Sequence, residues 1–108
     1  MPLRVTTRWG RGPVYEGEIN GLHVLVLATD VVSSKGLGRG KVEQMYVGRD
    51  CLFMGEDRLL SYRREWISPP PQDRTLREVV EQTVRQIDGK SVDWEAERHS
   101  YERGMRGP

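Results

Sequence analysis

Asn20-Gly21 stands between two runs rich in apolar residues, Val14 to Ile19 and Leu22 to Ala28. A two-residue type I′ turn needs positive φ at both central positions, and Asn-Gly meets that need at small steric cost. The dipeptide therefore predicts a β-hairpin whose register follows from the turn length. Ile19 faces Leu22, Glu18 faces His23, Gly17 faces Val24, Glu16 faces Leu25 and Tyr15 faces Val26. One face then carries Tyr15, Ile19, Leu22, Val24 and Val26. The other carries Glu16, Glu18, His23, Leu25 and Leu27. The second run is apolar on both faces, which predicts a central strand covered on both sides.

Further strand signals surround this hairpin. Leu3 to Trp9 alternates loosely, with Arg4 and Arg8 suited to an edge, and Gly10-Arg11-Gly12-Pro13 marks a turn. Lys41 to Val47 alternates again, and Cys51 to Met54 has the composition of a short buried strand. Arg58 to Ile67 fits a strand through Leu60, Tyr62 and Trp66, or a helix capped by Asp57 through Leu59, Arg63, Trp66 and Ile67; its aromatic content favours the strand.

The triproline Pro69-Pro70-Pro71 breaks the pattern. Beyond it, Leu76, Val79, Val80, Val84 and Ile87 form one helical stripe, with Asp73 or Thr75 as cap and Gly89 just past the end. A second helix is predicted near 92–103, capped by Ser91 or Asp93, with Trp94, Arg98, Tyr101 and Met105 on one stripe. The fold class predicted is α+β: a small curved antiparallel sheet or partial barrel of about five strands within residues 3–67, followed by two C-terminal helices, about 74–88 and 92–103. All 108 residues read as a single domain: a β-rich part (1–67), a Pro-rich connection (68–73), a helical part (74–103) and a frayed tail (104–108).

Composition narrows the function. The formal net charge of +1 supplies no global attraction to nucleic acid or anionic lipid, so any such contact must be local. A single cysteine, Cys51, forbids an intramolecular disulfide, and its apolar surroundings predict a buried inert thiol. No apolar run approaches the roughly 18 residues of a membrane span. Met1-Pro2-Leu3-Arg4 lacks the apolar core of a secretion signal. These features predict a cytoplasmic protein without membrane contact.

The segment Val32-Ser33-Ser34-Lys35-Gly36-Leu37-Gly38-Arg39-Gly40-Lys41 carries three glycines and three cations and no carboxylate. Glycines let backbone N–H groups converge on an anion. The order is neither GxxxxGK[ST] nor GxGxxG, and a strand follows where those motifs need a helix, so an NTPase or a dinucleotide fold is excluded. The remaining choice is a mobile cationic connection or an anion-binding loop. Were the first strand beside it, Arg4, Arg8 and Arg11 would join Lys35, Arg39 and Lys41 in one patch. Arg63 and Arg64 would extend that patch, and Trp9, Tyr46, Tyr62 and Trp66 would be stacking surfaces for bases.

No catalytic constellation emerges. Glu18 opposite His23 is a surface pair, the two histidines lie far apart, and no metal or cofactor motif occurs. The chain therefore reads as a non-enzymatic small binding protein. Its ligand would bear a phosphate (nucleic acid or nucleotide) and would be held by Arg4, Arg8, Arg11, Lys35, Gly36, Gly38, Arg39, Gly40 and Lys41. The alternative is a protein–protein interaction module, an adaptor or a small inhibitor of the kind phages and mobile elements encode, acting through its C-terminal helices or a sheet edge. Trp94, Arg98, Tyr101 and Met105 would form its interface, with a homodimer as the commonest outcome.

Overall fold

Asn20 and Gly21 adopt φ of 53° and 78°, and the hairpin they close joins two strands, Gly12–Ile19 and Leu22–Ala28, in the register predicted from the turn. In the computed structural model, which describes residues 3–34, 36–49 and 58–105, these are β2 and β3. They lie inside a five-stranded sheet with β1 (Arg4–Trp9), β4 (Val42–Gly48) and β5 (Arg58–Arg63). The strand order is β1-β2-β3-β4-β5 and every neighbouring pair is antiparallel. The sheet is open rather than closed into a barrel. Two helices follow, α1 (Arg74–Asp88) and α2 (Trp94–Met105), so the architecture is α+β.

Burial follows the predicted alternation on one face. Val24, Val26 and Ala28 of β3, Met45 and Val47 of β4, and Leu60 and Tyr62 of β5 pack with Val79, Val80 and Val84 of α1. Thr83 is also buried there and returns its hydroxyl to the Val79 carbonyl at 2.8 Å, so its polar group is satisfied inside the helix. The opposite face departs from the expectation: Leu25 and Leu27 of β3 remain half-buried and lie outside the core cluster.

Register shifts occur between Val5 and Thr7, between Leu27 and Ala28, and between Val47 and Gly48. Bulges of this kind bend a strand and re-aim its side chains. The shift beside Ala28 makes Glu43 the extra residue of β4, which brings Val42 onto the core face and buries Glu43 as well.

β5 ends sooner than predicted. At Arg64, with φ of 62°, the chain hooks back, and Trp66 pairs with Tyr62. The Ile67 N–H donates to the Ser61 carbonyl at 3.1 Å and the Ser61 N–H to the Ser68 hydroxyl at 3.0 Å. The hook covers part of the outer edge of β5 and stacks Trp66 edge-on against Tyr62, 5.2 Å between ring centres. The short strand predicted at Cys51–Met54, and Cys51 itself, lie outside the described residues.

α1 begins where the Asp73 carboxylate accepts the Thr75 N–H at 3.2 Å and stops at Gly89, left-handed at φ 67°. α2 is capped by Asp93, which accepts the Ala96 N–H at 3.1 Å; the helix starts and ends two residues later than predicted.

Candidate functional site

The glycine-rich segment connects β3 to β4 and is built into the fold. Its base is closed by the Thr29 N–H on the Lys41 carbonyl at 2.8 Å and the Ser33 N–H on the Gly40 carbonyl at 2.9 Å. Leu37, in a single 3-10 turn over Leu37–Arg39, is 1% exposed and belongs to the core cluster. A mobile connection would not bury its central side chain, so the sequence expectation of mobility gives way to a packed loop. Two of its glycines illustrate the reason for their choice. Gly38 has φ of 63°, where a side chain is strained, and a Cβ on Gly40 would land on the Asp88 carboxylate.

Two carboxylates from the helical part face this loop. The Lys41 N–H donates to Asp88 Oδ1 at 2.9 Å, from the last residue of α1. From α2, the Glu97 carboxylate accepts the Trp66 Nε1–H at 2.9 Å on its Oε1. Burial is the main cause that raises the pKa of Glu97 above the ordinary carboxylate value. The nearby Asp93 charge adds to it, while the Trp66 hydrogen bond and the backbone of Gly38 oppose it. One loop N–H, that of Lys41, thus receives an oxyanion from the protein's own chain.

The cations divide into three groups. Arg8 and Arg11 do reach the ends of the loop, because the β1–β2 turn packs there through the Asp30 N–H on the Arg11 carbonyl at 3.1 Å. Both are engaged by carboxylates: Arg8 with Asp30 at 2.7 Å, and Arg11 with the buried Glu43 at 2.9 Å. Arg64 shares Glu43 at 3.4 Å. Arg4 sits at the other end of β1, opposite Glu16, and is not brought to the loop. Arg39, exposed in the 3-10 turn, and Lys41 form no ion pair among the described residues. Lys35 lies outside the described residues. The continuous patch predicted from Arg4, Arg8, Arg11 and the loop therefore does not assemble as a whole.

The aromatic residues separate similarly. Tyr62 and Trp66 are core residues, whereas Tyr46 lies on the opposite sheet face with the Arg58 guanidinium 4.6 Å above its ring. Burial pushes the Tyr62 phenol well above its usual range, with Glu97, Glu65 and Glu43 adding to the effect.

Of the predicted interface residues, Trp94 and Tyr101 are half-buried against the core. Trp94 Nε1–H donates to Glu81 Oε1 at 2.7 Å, and the Arg77 guanidinium lies 5.1 Å over its ring. Arg98 is exposed and pairs with Glu102 at 3.7 Å. Met105 ends α2. His23 and Glu18 stand 4.0 Å apart with both side chains about half exposed, as a surface pair.

Asp30, Glu43, Asp88 and Glu97, the four carboxylates that decide the electrostatics of the region, carry no signal in the sequence that marks them for this place. Asp88 reads locally as a helix end and Glu97 as an exposed helical charge beside Arg98. Compared with protein-family models, with curated proteins and with solved structures, the chain matches none.

Proposed function

We propose that the protein is a non-enzymatic binding protein that takes a phosphate-bearing ligand, nucleic acid or nucleotide, at the loop between β3 and β4. The observation that carries this reading is the Asp88 carboxylate held by the Lys41 N–H at 2.9 Å, at the base of the loop. A backbone arranged to receive carboxylate oxygens also suits phosphate oxygens, which accept from the same donors. Arg39 and Lys41, without ion pairs among the described residues, supply the charge. Binding to a short single-stranded oligonucleotide and to a nucleoside monophosphate, titrated at two salt concentrations, tests it. Affinity should fall as salt rises, and Arg39→Ala with Lys41→Ala should reduce the salt slope by about 1.4 units for the single-stranded oligonucleotide. Binding that ignores both salt and these substitutions would remove the reading.

A second reading, a protein-interaction module, is favoured by the difference between the two sheet edges. The outer edge of β5 is partly covered by the Trp66 hook, whereas Arg4 to Arg8 of β1 are exposed throughout, including Val5. An added strand fits such an edge. Antiparallel pairing of β1 with its own copy about Thr6 would set Arg4 against Arg8, so this edge suits a different chain better than a homodimer. Light scattering on an eluting column, with and without oligonucleotide, reports self-association and nucleic-acid binding together.

A further inference from the structure

We propose that the outer face of the sheet, the side turned away from α1, packs against the same face of a second copy of this chain, with Glu18 of each protomer meeting Arg58 of the other. The inference is independent of the loop as a ligand site and gives the protein a separate interaction surface.

Three observations carry it. First, the centre of this face is apolar and remains outside the core. Leu25 and Leu27 of β3 and Tyr46 of β4 are half-buried, and none packs in the cluster to which α1 and α2 contribute. Strand pairing sets Leu25 against Tyr46 and Leu27 against Gln44. Completing the burial of these side chains is the driving force for a partner.

Second, charge is divided across the face. Glu16 and Glu18 lie on β2 at one side, and Arg58 and Arg63 lie on β5 at the other. Among the described residues, none of the four is neutralised by a lysine, an arginine or a carboxylate. Glu18 stands 4.0 Å from His23, Glu16 accepts the Thr6 hydroxyl at 2.6 Å, and the Arg58 guanidinium lies over the Tyr46 ring. A wholly basic face would suit nucleic acid, but here the acidic side repels a phosphate chain. A face with one acidic and one basic side is complementary to its own copy.

Third, the register makes the match specific. A twofold axis parallel to the strands, between β3 and β4, places β2 of one protomer over β5 of the other and keeps every row at its own level. Glu18 pairs with His23, His23 with Gly48, and Gly48 with Arg58, so Glu18 and Arg58 share a row. Glu18 therefore faces the partner's Arg58, twice by symmetry. In the next row Leu25 faces the partner's Tyr46, and Glu16 lies level between the partner's Arg58 and the partner's Arg63. An axis across the strands would instead set β2 on β2, carboxylate against carboxylate. Stacked sheets stand about 10 Å apart, a gap that facing glutamate and arginine side chains span. The patch is narrow, so its area lies at the small end for specific interfaces and the dimer is reversible.

The test follows self-association of the full chain by sedimentation, at low salt and from about 1 μM to about 1 mM, the range a small interface calls for. It compares wild type, Glu18→Arg, Arg58→Glu and an equimolar mixture of the two variants. Both side chains are exposed, so the substitutions leave the core intact, and circular dichroism checks the fold. Wild type should dimerise reversibly. Each variant alone sets like charges at both symmetric contacts and should weaken the dimer by at least about tenfold. The mixture should recover to within about threefold of wild type, because in the mixed dimer both contacts again join opposite charges. Wild type that stays monomeric throughout would overturn the proposal. So would a dimer indifferent to both substitutions, or a mixture that associates no better than its components. A short single-stranded oligonucleotide is the last probe. Its binding to monomeric wild type, lost in Arg58→Glu, would assign the basic side of this face to nucleic acid and refute the dimer.

Discussion

Glu43 offers the sharpest test of how the two halves of the sheet are tied together. Its side chain is 2% exposed, whereas its partners Arg11 and Arg64 are 53% and 49% exposed. The Arg64 N–H also donates to the Glu43 carbonyl at 2.8 Å. One buried carboxylate thus joins the β1–β2 turn to the hook after β5, with its Oε2 making no hydrogen bond among the described residues. The desolvation cost falls on the carboxylate, because water still reaches both arginines. Replacing either arginine alone leaves the other in place, so Arg11→Met and Arg64→Met should each cost about 1 kcal/mol. Replacing both leaves a buried charge with no counter-ion. That costs about 3 kcal/mol, at the low end for a broken buried pair because the vacated sites admit water. At roughly 4 °C per kcal/mol, the double variant should lose about 12 °C in Tm. Methionine keeps the length of the arginine stems, so lost packing contributes little. Adding Glu43→Gln to the double variant removes the stranded charge and should recover more than half the loss. Glu43→Gln in wild type should instead destabilise, by about 1 kcal/mol. Urea and thermal unfolding followed by tryptophan fluorescence measure the whole cycle. A triple variant no more stable than the double, or a double variant costing less than about 1 kcal/mol, would refute the claim that the two arginines neutralise a buried charge.

The loop glycines should rank by what surrounds them. Gly38→Ala meets only its positive φ and should cost about 1 kcal/mol, whereas Gly40→Ala must push the Asp88 carboxylate off the Lys41 N–H and should cost about 2 kcal/mol. Asp88→Ala in the Gly40→Ala background should relieve part of that cost, and simple additivity of the two would refute the contact. The pH response of Glu97 has a definite sign. Its folded pKa lies above the unfolded value, so its favourable contribution is complete below the unfolded carboxylate pKa and is lost as pH rises through the folded one. Wild type should therefore gain stability relative to Glu97→Gln as pH falls from neutrality toward the ordinary carboxylate range, read as the difference in Tm between them. Parallel Tm profiles would show that the carboxylate is not desolvated by α2 packing.

Much of the fold was legible because its signals are local. Asn20-Gly21 dictates a turn from two residues, and the register of β2 against β3 follows by counting outward. The stripe of Leu76, Val79, Val80, Val84 and Ile87 needs only helical periodicity, and the first three strands need only alternation and glycine punctuation. The misreadings came where a residue's neighbour in space is remote in the chain. The bulge that buries Glu43 depends on how β4 meets β3, and the hook at Arg64 depends on Trp66 finding Tyr62 and Glu97. Neither leaves a mark in composition or period.

The candidate site divides along the same line. Gly36, Gly38 and Gly40 with their flanking cations mark, from sequence alone, a loop whose backbone can approach an anion. That Arg8 would meet Asp30, that Arg11 would meet Glu43, and that Asp88 and Glu97 would stand against the loop was decided only by the tertiary structure. Backbone preferences are settled within a few residues, whereas charges pair with whatever the packed elements bring within a few ångströms. For this loop, that was the C-terminal end of α1 and the inner side of α2.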